Sequence, residues 1–219
     1  MTLGFAGRLD RNLLLPAVDR VGELVARPQI ERSWERDSSC EGMTVGGLTR
    51  HLVQQPATVA DRLAGDPDAG AGAGTVGLAE HYARAAWANA DLDEAPNTSI
   101  RDAANAEAAS GHAAAVHALS EARARLAGVL PGAPATVFLP RQGWWLATDD
   151  FIVTRLMEMV VHADDLAVSV GLPTPAFGAE TIDAVLRLLA MLSVRRHGEA
   201  ALIRTLTRPQ RASRDVTAF

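Results

Sequence analysis

The sequence contains no lysine and a single cysteine, and each scarcity removes a class of protein. Cys40 alone cannot form an internal disulfide, and it excludes a cluster of thiolate metal ligands. All 21 basic residues are arginines, scattered among 26 acidic residues, so the formal net charge is -5. A nucleic-acid-binding protein needs a basic surface, and this composition argues against one. Arginine in place of lysine, together with abundant alanine, indicates a GC-rich genome.

Long apolar runs are also missing. Even the most apolar stretch carries charges, so no segment is predicted to span a bilayer. The first residues, MTLGFAGRLDRN, lack the ordered regions of a signal peptide. We therefore expect a cytoplasmic protein with neither membrane nor nucleic acid as its partner. The 219 residues, 48% of them hydrophobic, suffice for a single domain with a substantial core.

The most informative stretch is TDDFIVTRLMEMVVHADDLAVSVG, residues 148–171. Thr148 is a good N-cap residue, and Gly171 followed by Pro173 is a common helix stop. Nearly every residue between these ends is apolar, which is typical of a buried helix. Polar residues at steps of three and four nevertheless share one face of this helix: Arg155, Glu158, His162, Asp165 and Ser169.

The remaining periodicity predicts an all-α fold, a bundle of four main helices with a C-terminal helical extension. Besides residues 148–171, the predicted helices are 3–26 (bent or broken at Pro16), 44–64 (capped by Thr44 and kinked at Pro56), 75–92, 98–130, 179–197 and 199–207. A polar linker spans 28–42, a mobile Gly-rich loop 65–74, and a short strand 136–139; Trp144 and Trp145 are placed in a turn. The bundle occupies about 3–171, the extension 172–207 and a frayed tail 208–219.

Glu158 and His162 stand one helical turn apart, so a carboxylate and an imidazole converge on one point. With a histidine from a neighbouring helix they would form a three-ligand site with one open position, the arrangement of a catalytic zinc ion. His51 is the best third ligand, because it lies at the edge of the apolar face of helix 44–64. Asp165 is one turn beyond His162 and would hold the second nitrogen of the imidazole.

An alternative interpretation is a solvated helix face with weak ion pairs. This alternative is the more common origin of such a pattern, the surrounding apolar residues are one point in favour of the metal site, and both interpretations stay open. The remaining histidines are interpreted as surface or capping residues and not as ligands: His81, His112 and His117 on helices, and His197 at a helix C-terminus. Cys40 has no histidine or aspartate beside it in the sequence and is interpreted as a passive, half-buried thiol.

Two segments resemble the metal-binding domain of mycothiol-dependent maleylpyruvate isomerases, in the DinB-like superfamily. They are CEGMTVGGLTRHLV, which contains His51, and DFIVTRLMEMVVHADDLAVSVGLP. The family's first motif usually reads Cys-Pro-Gly-Trp-Thr-Val followed by Leu and the ligand His; here Glu41-Gly42-Met43 replaces Pro-Gly-Trp, which predicts a different pocket wall. The second motif, Thr-Arg, Glu, Val-His and Asp-Asp-Leu, is present. The resemblance implies a DinB-like four-helix bundle with zinc or another divalent ion on His51, Glu158 and His162.

The resemblance further implies a metal-dependent thiol transferase that uses mycothiol to attack a small electrophile. Arg155 would offer its charge to an anionic substrate. The isomerases have an additional C-terminal domain that contributes an arginine; we expect this chain to lack it and therefore not to isomerise maleylpyruvate. Two alternatives stay open, a binding or regulatory module with a structural or lost metal, and a metal-dependent hydrolase. Small alanine faces would also permit a homodimer.

Overall fold

The computed structural model describes residues 4–66, 69–91 and 93–219, most of which are helical. The helices are α1 (Leu14–Val25), α2 (Pro28–Arg32), α3 (Val45–Leu63), α4 (Leu78–Arg84), α5 (Ala95–Ala108), α6 (His112–Val129), α7 (Thr148–Ser169), α8 (Ala179–His197) and α9 (Glu199–Thr207). The strands are β1 (Thr75–Val76), β2 (Thr136–Leu139) and β3 (Trp144–Ala147). No helix in the described part of the chain is both long enough and apolar enough to cross a membrane.

Helices α1, α3, α6 and α7 pack against one another and form the predicted bundle. Their apolar faces meet in one core, in which Leu48, Leu52, Ile152 and Leu156 are completely buried. Burial of each such side chain contributes about 1.5–3 kcal/mol, so this core is the main source of stability. The helical bundle expected from the sequence is confirmed.

Helix α3 begins and ends almost where the sequence predicted. The hydroxyl of Thr44 caps it by accepting a hydrogen bond from the backbone N–H of Gly47 at 2.9 Å. Pro56 lies inside the helix, and the kink expected there stays a prediction. Contacts from Ser39 to Ser169 and from Gln55 to Arg155 show that α3 runs antiparallel to α7. The two helices therefore bring residues from the middle of each to one place.

The predicted first helix, 3–26, is too long. The chain makes a 3-10 turn at Arg11–Leu13, and α1 starts at Leu14, so that Pro16 lies in the first turn, where a missing N–H costs nothing. Asp149 and Asp150 hold the segment before this turn: they accept hydrogen bonds from the backbone N–H groups of Gly7 and Phe5. The linker predicted for 28–42 also contains a short helix, α2.

The middle of the chain differs most from the prediction. Residues 75–92 were expected to form one helix, but they contain β1, α4 and a 3-10 turn at Trp87–Asn89, and Leu92 lies outside the described residues. The predicted helix 98–130 is two helices, α5 and α6, because Gly111 takes a φ of 82°, a left-handed conformation that ends one helix and starts the next. Residues 67–68 of the predicted mobile loop are also outside the described part, and its mobility stays a prediction.

The predicted strand 136–139 is confirmed as β2, and it belongs to a small sheet with the order β1-β3-β2. Strand β3 pairs parallel with β1 and antiparallel with β2. Trp144 and Trp145 were expected in a turn, but they lie in β3. Thr148 was expected to be the N-cap of α7, but it is the first residue of the helix. Its hydroxyl donates to the carbonyl of Pro134 at 2.7 Å and does not cap the helix.

The C-terminal helices match the prediction, and the tail that was predicted to fray contacts the body of the protein. Ser193 on α8 donates a hydrogen bond to the carbonyl of Val216 at 2.7 Å. The ring of Phe219 packs against Trp87 and Tyr82, with centroid separations of 5.0 and 6.0 Å. The residues after α9 therefore fold back onto the body of the protein. The division of the chain into bundle, extension and tail stays a prediction.

Candidate metal centre

Helices α3 and α7 bring His51, Glu158 and His162 together. The Glu158 Oε2 atom lies 3.2 Å from His162 Nε2 and 3.6 Å from His51 Nε2. The two imidazole rings meet edge to face, with centroids 4.9 Å apart. One ligand atom from each residue falls in a set whose members all lie within 4.8 Å of one another. The three residues that the sequence singled out therefore form one cluster, although His51 is more than 100 positions away from the other two.

The cluster fits a divalent ion of the zinc type. Two imidazole nitrogens and one carboxylate oxygen are the donor set of many catalytic zinc sites, with metal–ligand bonds of about 2.0–2.2 Å. Two such ligands at a tetrahedral angle are about 3.3–3.5 Å apart. The nitrogen–oxygen separations of 3.2 and 3.6 Å bracket this value. These two separations therefore suit ligands of one ion, and the third pair, one nitrogen from each imidazole, lies within 4.8 Å.

Burial and neighbouring charged groups shift the pKa values of Glu158 and His162 in opposite directions. Burial alone would raise the pKa of Glu158, but hydrogen bonds from His162 and His51 and the charge of Arg155 outweigh it and hold this pKa well below its ordinary value. Burial would likewise lower the pKa of His162, but hydrogen bonds with Asp165, Cys40 and Glu158 raise it well above its ordinary value. Glu158 is therefore an anion at neutral pH, and His162 holds a proton that a bound cation would displace.

The alternative of a solvated helix face is wrong. Glu158 is 9% exposed, and the other polar residues of this helix face, which we call the polar stripe, are half-buried: Arg155, His162, Asp165 and Ser169. A carboxylate is almost never this buried unless it is paired, and its partners here are the two imidazoles and Arg155. The stripe is thus an internal polar cluster that opens only partly to solvent.

Asp165 lies where the sequence placed it. Its Oδ2 atom is 3.0 Å from His162 Nδ1, so the carboxylate holds the ring nitrogen that does not face Glu158. Cys40 was interpreted as passive, yet its thiol donates to the same Asp165 oxygen at 3.3 Å. The loop between α2 and α3 brings it there, because Ser39 hydrogen-bonds to Ser169 and to the backbone of Asp165. The contact joins residues 125 positions apart, so the local sequence carried no signal for it.

Arg155 lies beside the cluster on α7. Its Nη1 atom donates to the side-chain oxygen of Gln55 on α3 at 2.8 Å, and its Nη2 atom is 3.7 Å from Glu158 Oε1. Its guanidinium also lies over the ring of Phe151, 5.8 Å from the centroid. Gln55 was not singled out from the sequence, although its position one turn after His51 on α3 is a signal that could have identified it.

The other histidines lie outside this cluster. His81 was expected at the surface, but it is buried, and Trp144 donates an indole N–H to its Nδ1 at 3.3 Å. Burial, with a smaller effect from the charge of Arg155, lowers the pKa of His81 to about 4, so it is neutral at pH 7. His112 and His197 each contact a backbone carbonyl, and His117 is exposed beside Glu121.

The fold and the cluster define a helical bundle with a three-residue set that suits a metal ion. Residues 14–167 match the family model described as the mycothiol maleylpyruvate isomerase N-terminal domain, and the chain belongs to this family. The matched range includes α1, α3 and α6, α7 as far as Ala167, and all three residues of the cluster. No curated protein and no solved structure gives a significant match.

Proposed function

We propose that this protein binds one divalent metal ion, zinc or a similar cation, through His51, Glu158 and His162, and that it transfers a low-molecular-weight thiol to a small electrophile. The observation that carries the proposal is the convergence of His51 Nε2 and His162 Nε2 on Glu158 Oε2. Because the family is defined by a mycothiol-dependent enzyme, mycothiol is the thiol that we propose as cosubstrate.

The side chains have separate roles in this proposal. Asp165 holds Nδ1 of His162, so that Nε2 presents its lone pair to the cation. Glu158 supplies the negative charge of the ligand set. A bound divalent ion would act as a Lewis acid that keeps a coordinated thiol deprotonated near neutral pH. Arg155, 3.7 Å from Glu158 Oε1, offers positive charge to an anionic substrate.

Three protein ligands support a catalytic role more than a structural one, since structural zinc sites are closed by four. A structural ion would carry much of the folding free energy, whereas an ion in a bundle with its own apolar core would not. Removing the metal is therefore expected to lower the melting temperature only slightly. A large decrease would instead favour the binding or regulatory module. A cytoplasmic location, a possible homodimer and the absence of a nucleic-acid partner stay predictions.

Cobalt substitution tests the proposal and separates it from hydrolysis. Co²⁺ in the site would report a bound thiol as a sulfur-to-cobalt charge-transfer band, which an oxygen ligand does not give. We expect the band to appear when mycothiol, or a simpler thiol as a probe, is added to the wild type. We expect no band with His162→Ala. A cobalt-loaded protein that shows no change with any thiol, but that hydrolyses ester or amide substrates, would contradict thiol transfer.

A further inference from the structure

Gln55 is a buried amide that joins both helices of the candidate centre. Its side chain is 4% exposed, and its Nε2 donates to the backbone carbonyl of His51 at 2.8 Å. The same nitrogen is 3.5 Å from His51 Nε2, the imidazole nitrogen that faces Glu158. Its Oε1 accepts a hydrogen bond from Arg155 Nη1 at 2.8 Å. The amide nitrogen of Gln55 therefore bonds to α3, and its amide oxygen bonds to α7.

The two carboxylate oxygens of Glu158 face different partners. The Oε2 atom faces the imidazoles of His51 and His162. The Oε1 atom faces Arg155 Nη2 at 3.7 Å. A guanidinium presents several N–H donors in one rigid plane, so fixing Nη1 on Gln55 also fixes the direction of Nη2. Thr154 also accepts a hydrogen bond from Arg155 Nε at 3.0 Å, so Gln55 and Thr154 together fix the plane in which Arg155 approaches Glu158.

We propose that Gln55 is a positioning residue of the metal centre: it holds Arg155 against Oε1 of Glu158, so that Oε2 alone is presented to the cation between His51 and His162. This inference rests on the proposed function, because it assigns a role at the same site. A neutral amide suits the role. A carboxylate at position 55 would neutralise Arg155, whereas the amide fixes the guanidinium and leaves its charge in place.

The neighbouring Gln54 provides a matched control. It lies on the same helix, and its amide nitrogen also pairs with a side chain of another helix, Glu107 on α5. It makes no contact with Arg155, His51 or Glu158 among the hydrogen bonds of the described residues. Gln54→Leu therefore measures the cost of removing a partly buried inter-helical hydrogen bond from α3, without disturbing the proposed network.

The test is competitive titration of purified protein with Zn²⁺ and, separately, the absorption spectrum of the Co²⁺ form. Partners of metal ligands typically contribute 10–100-fold to metal affinity. We expect Gln55→Leu to weaken Zn²⁺ binding by about 10–100-fold and to change the Co²⁺ spectrum, since Oε1 is then free to approach the ion. Gln54→Leu should bind Zn²⁺ like the wild type and keep its Co²⁺ spectrum. Gln55→Met serves as a second variant if Gln55→Leu does not fold.

A double-mutant cycle shows whether Gln55 acts through Arg155. In an Arg155→Leu background, Gln55→Leu should cause little further loss of affinity, because the group that it positions is already absent. The same loss in both backgrounds would overturn the inference, as would an unchanged affinity and spectrum in Gln55→Leu. In those cases the wild type still binds the ion, and the proposed metal site stands. A wild type that binds no divalent ion would overturn both proposals.

Discussion

The two nitrogens of the His162 ring face different sets of residues, which differ in what holds each set in place. Nε2 faces Glu158 and His51, which are fixed by the packed helices α7 and α3. Nδ1 faces Asp165, which is also on α7, and is close to Cys40 on the loop between α2 and α3; we call these two residues the loop side. The helical side has the donor set for a cation, and the loop side holds the ring by hydrogen bonds. One imidazole can be a precise ligand because its other nitrogen is already occupied.

The largest effect should come from the helical side. Glu158→Gln removes the only negative charge among the three ligands while keeping the size of the side chain. We expect the Zn²⁺ affinity to fall by more than about 100-fold, beyond the range for a partner of a ligand. Competitive titration against a chromophoric chelator measures it. Glu107→Gln, on α5, is a control with the same chemical change away from the cluster. An equal loss in both variants would contradict the assignment.

The loop side should give an intermediate effect. Asp165→Asn keeps the shape of the residue but removes the charge that holds His162 Nδ1. We expect Zn²⁺ binding to weaken by about 10–100-fold without a change in stoichiometry. The same titration gives both values. If Asp165→Asn abolished the site as completely as Glu158→Gln, the aspartate would be a ligand and the two sides would not differ in kind.

Acid should weaken metal binding through His162. Its pKa is raised well above the ordinary value by Asp165, Cys40 and Glu158, so the proton competes with the cation even at neutral pH. Affinity should increase as the pH rises toward this pKa, by up to about tenfold per pH unit if one proton is released per ion. Calorimetric titrations in buffers of different ionisation enthalpy measure the protons released. No proton release near pH 7 would contradict the raised pKa.

Cys40 should matter least. Burial is the largest influence on its thiol and raises its pKa, so the thiol stays protonated and serves as a weak donor to Asp165. Cys40→Ala should cost less than about 1 kcal/mol, which corresponds to no more than about fivefold in Zn²⁺ affinity. Cys40→Ser, which keeps a donor, should bind like the wild type. A loss comparable to that of Asp165→Asn would make Cys40 an equal member of the loop side.

The sequence predicted the parts of this molecule that depend on local periodicity. Helices α3, α7 and α8 and the pairing of Glu158 with His162 follow from spacing along one helix, and the Thr44 cap fixed the start of α3. The choice of His51 required a guess about which helices are neighbours. His51 lies beside Glu158 because the apolar face of α3 is well marked and packs against α7, and its role as a ligand stays a prediction.

The parts that depend on distant contacts were not predicted. Cys40 reaches Asp165, and Gln55 reaches Arg155, only through the packing of the loop and α3 against α7. The alanine-rich segment from α5 to α6 looked like one helix, since alanine gives no contrast between faces and Gly111 alone marks the break. Strand β1 is two residues long, too short for an alternating pattern, and it exists because β3 lies beside it.

The most direct test of the metal site is the metal content of the purified protein, measured by elemental analysis beside His51→Ala. We expect about one zinc or similar divalent ion per chain in the wild type and almost none in the variant, because two ligands from α7 alone do not complete the site. Circular dichroism should show the same helical fold in both. A wild type that holds no divalent ion even after reconstitution, or a variant that retains the full amount, would contradict a metal site on His51, Glu158 and His162.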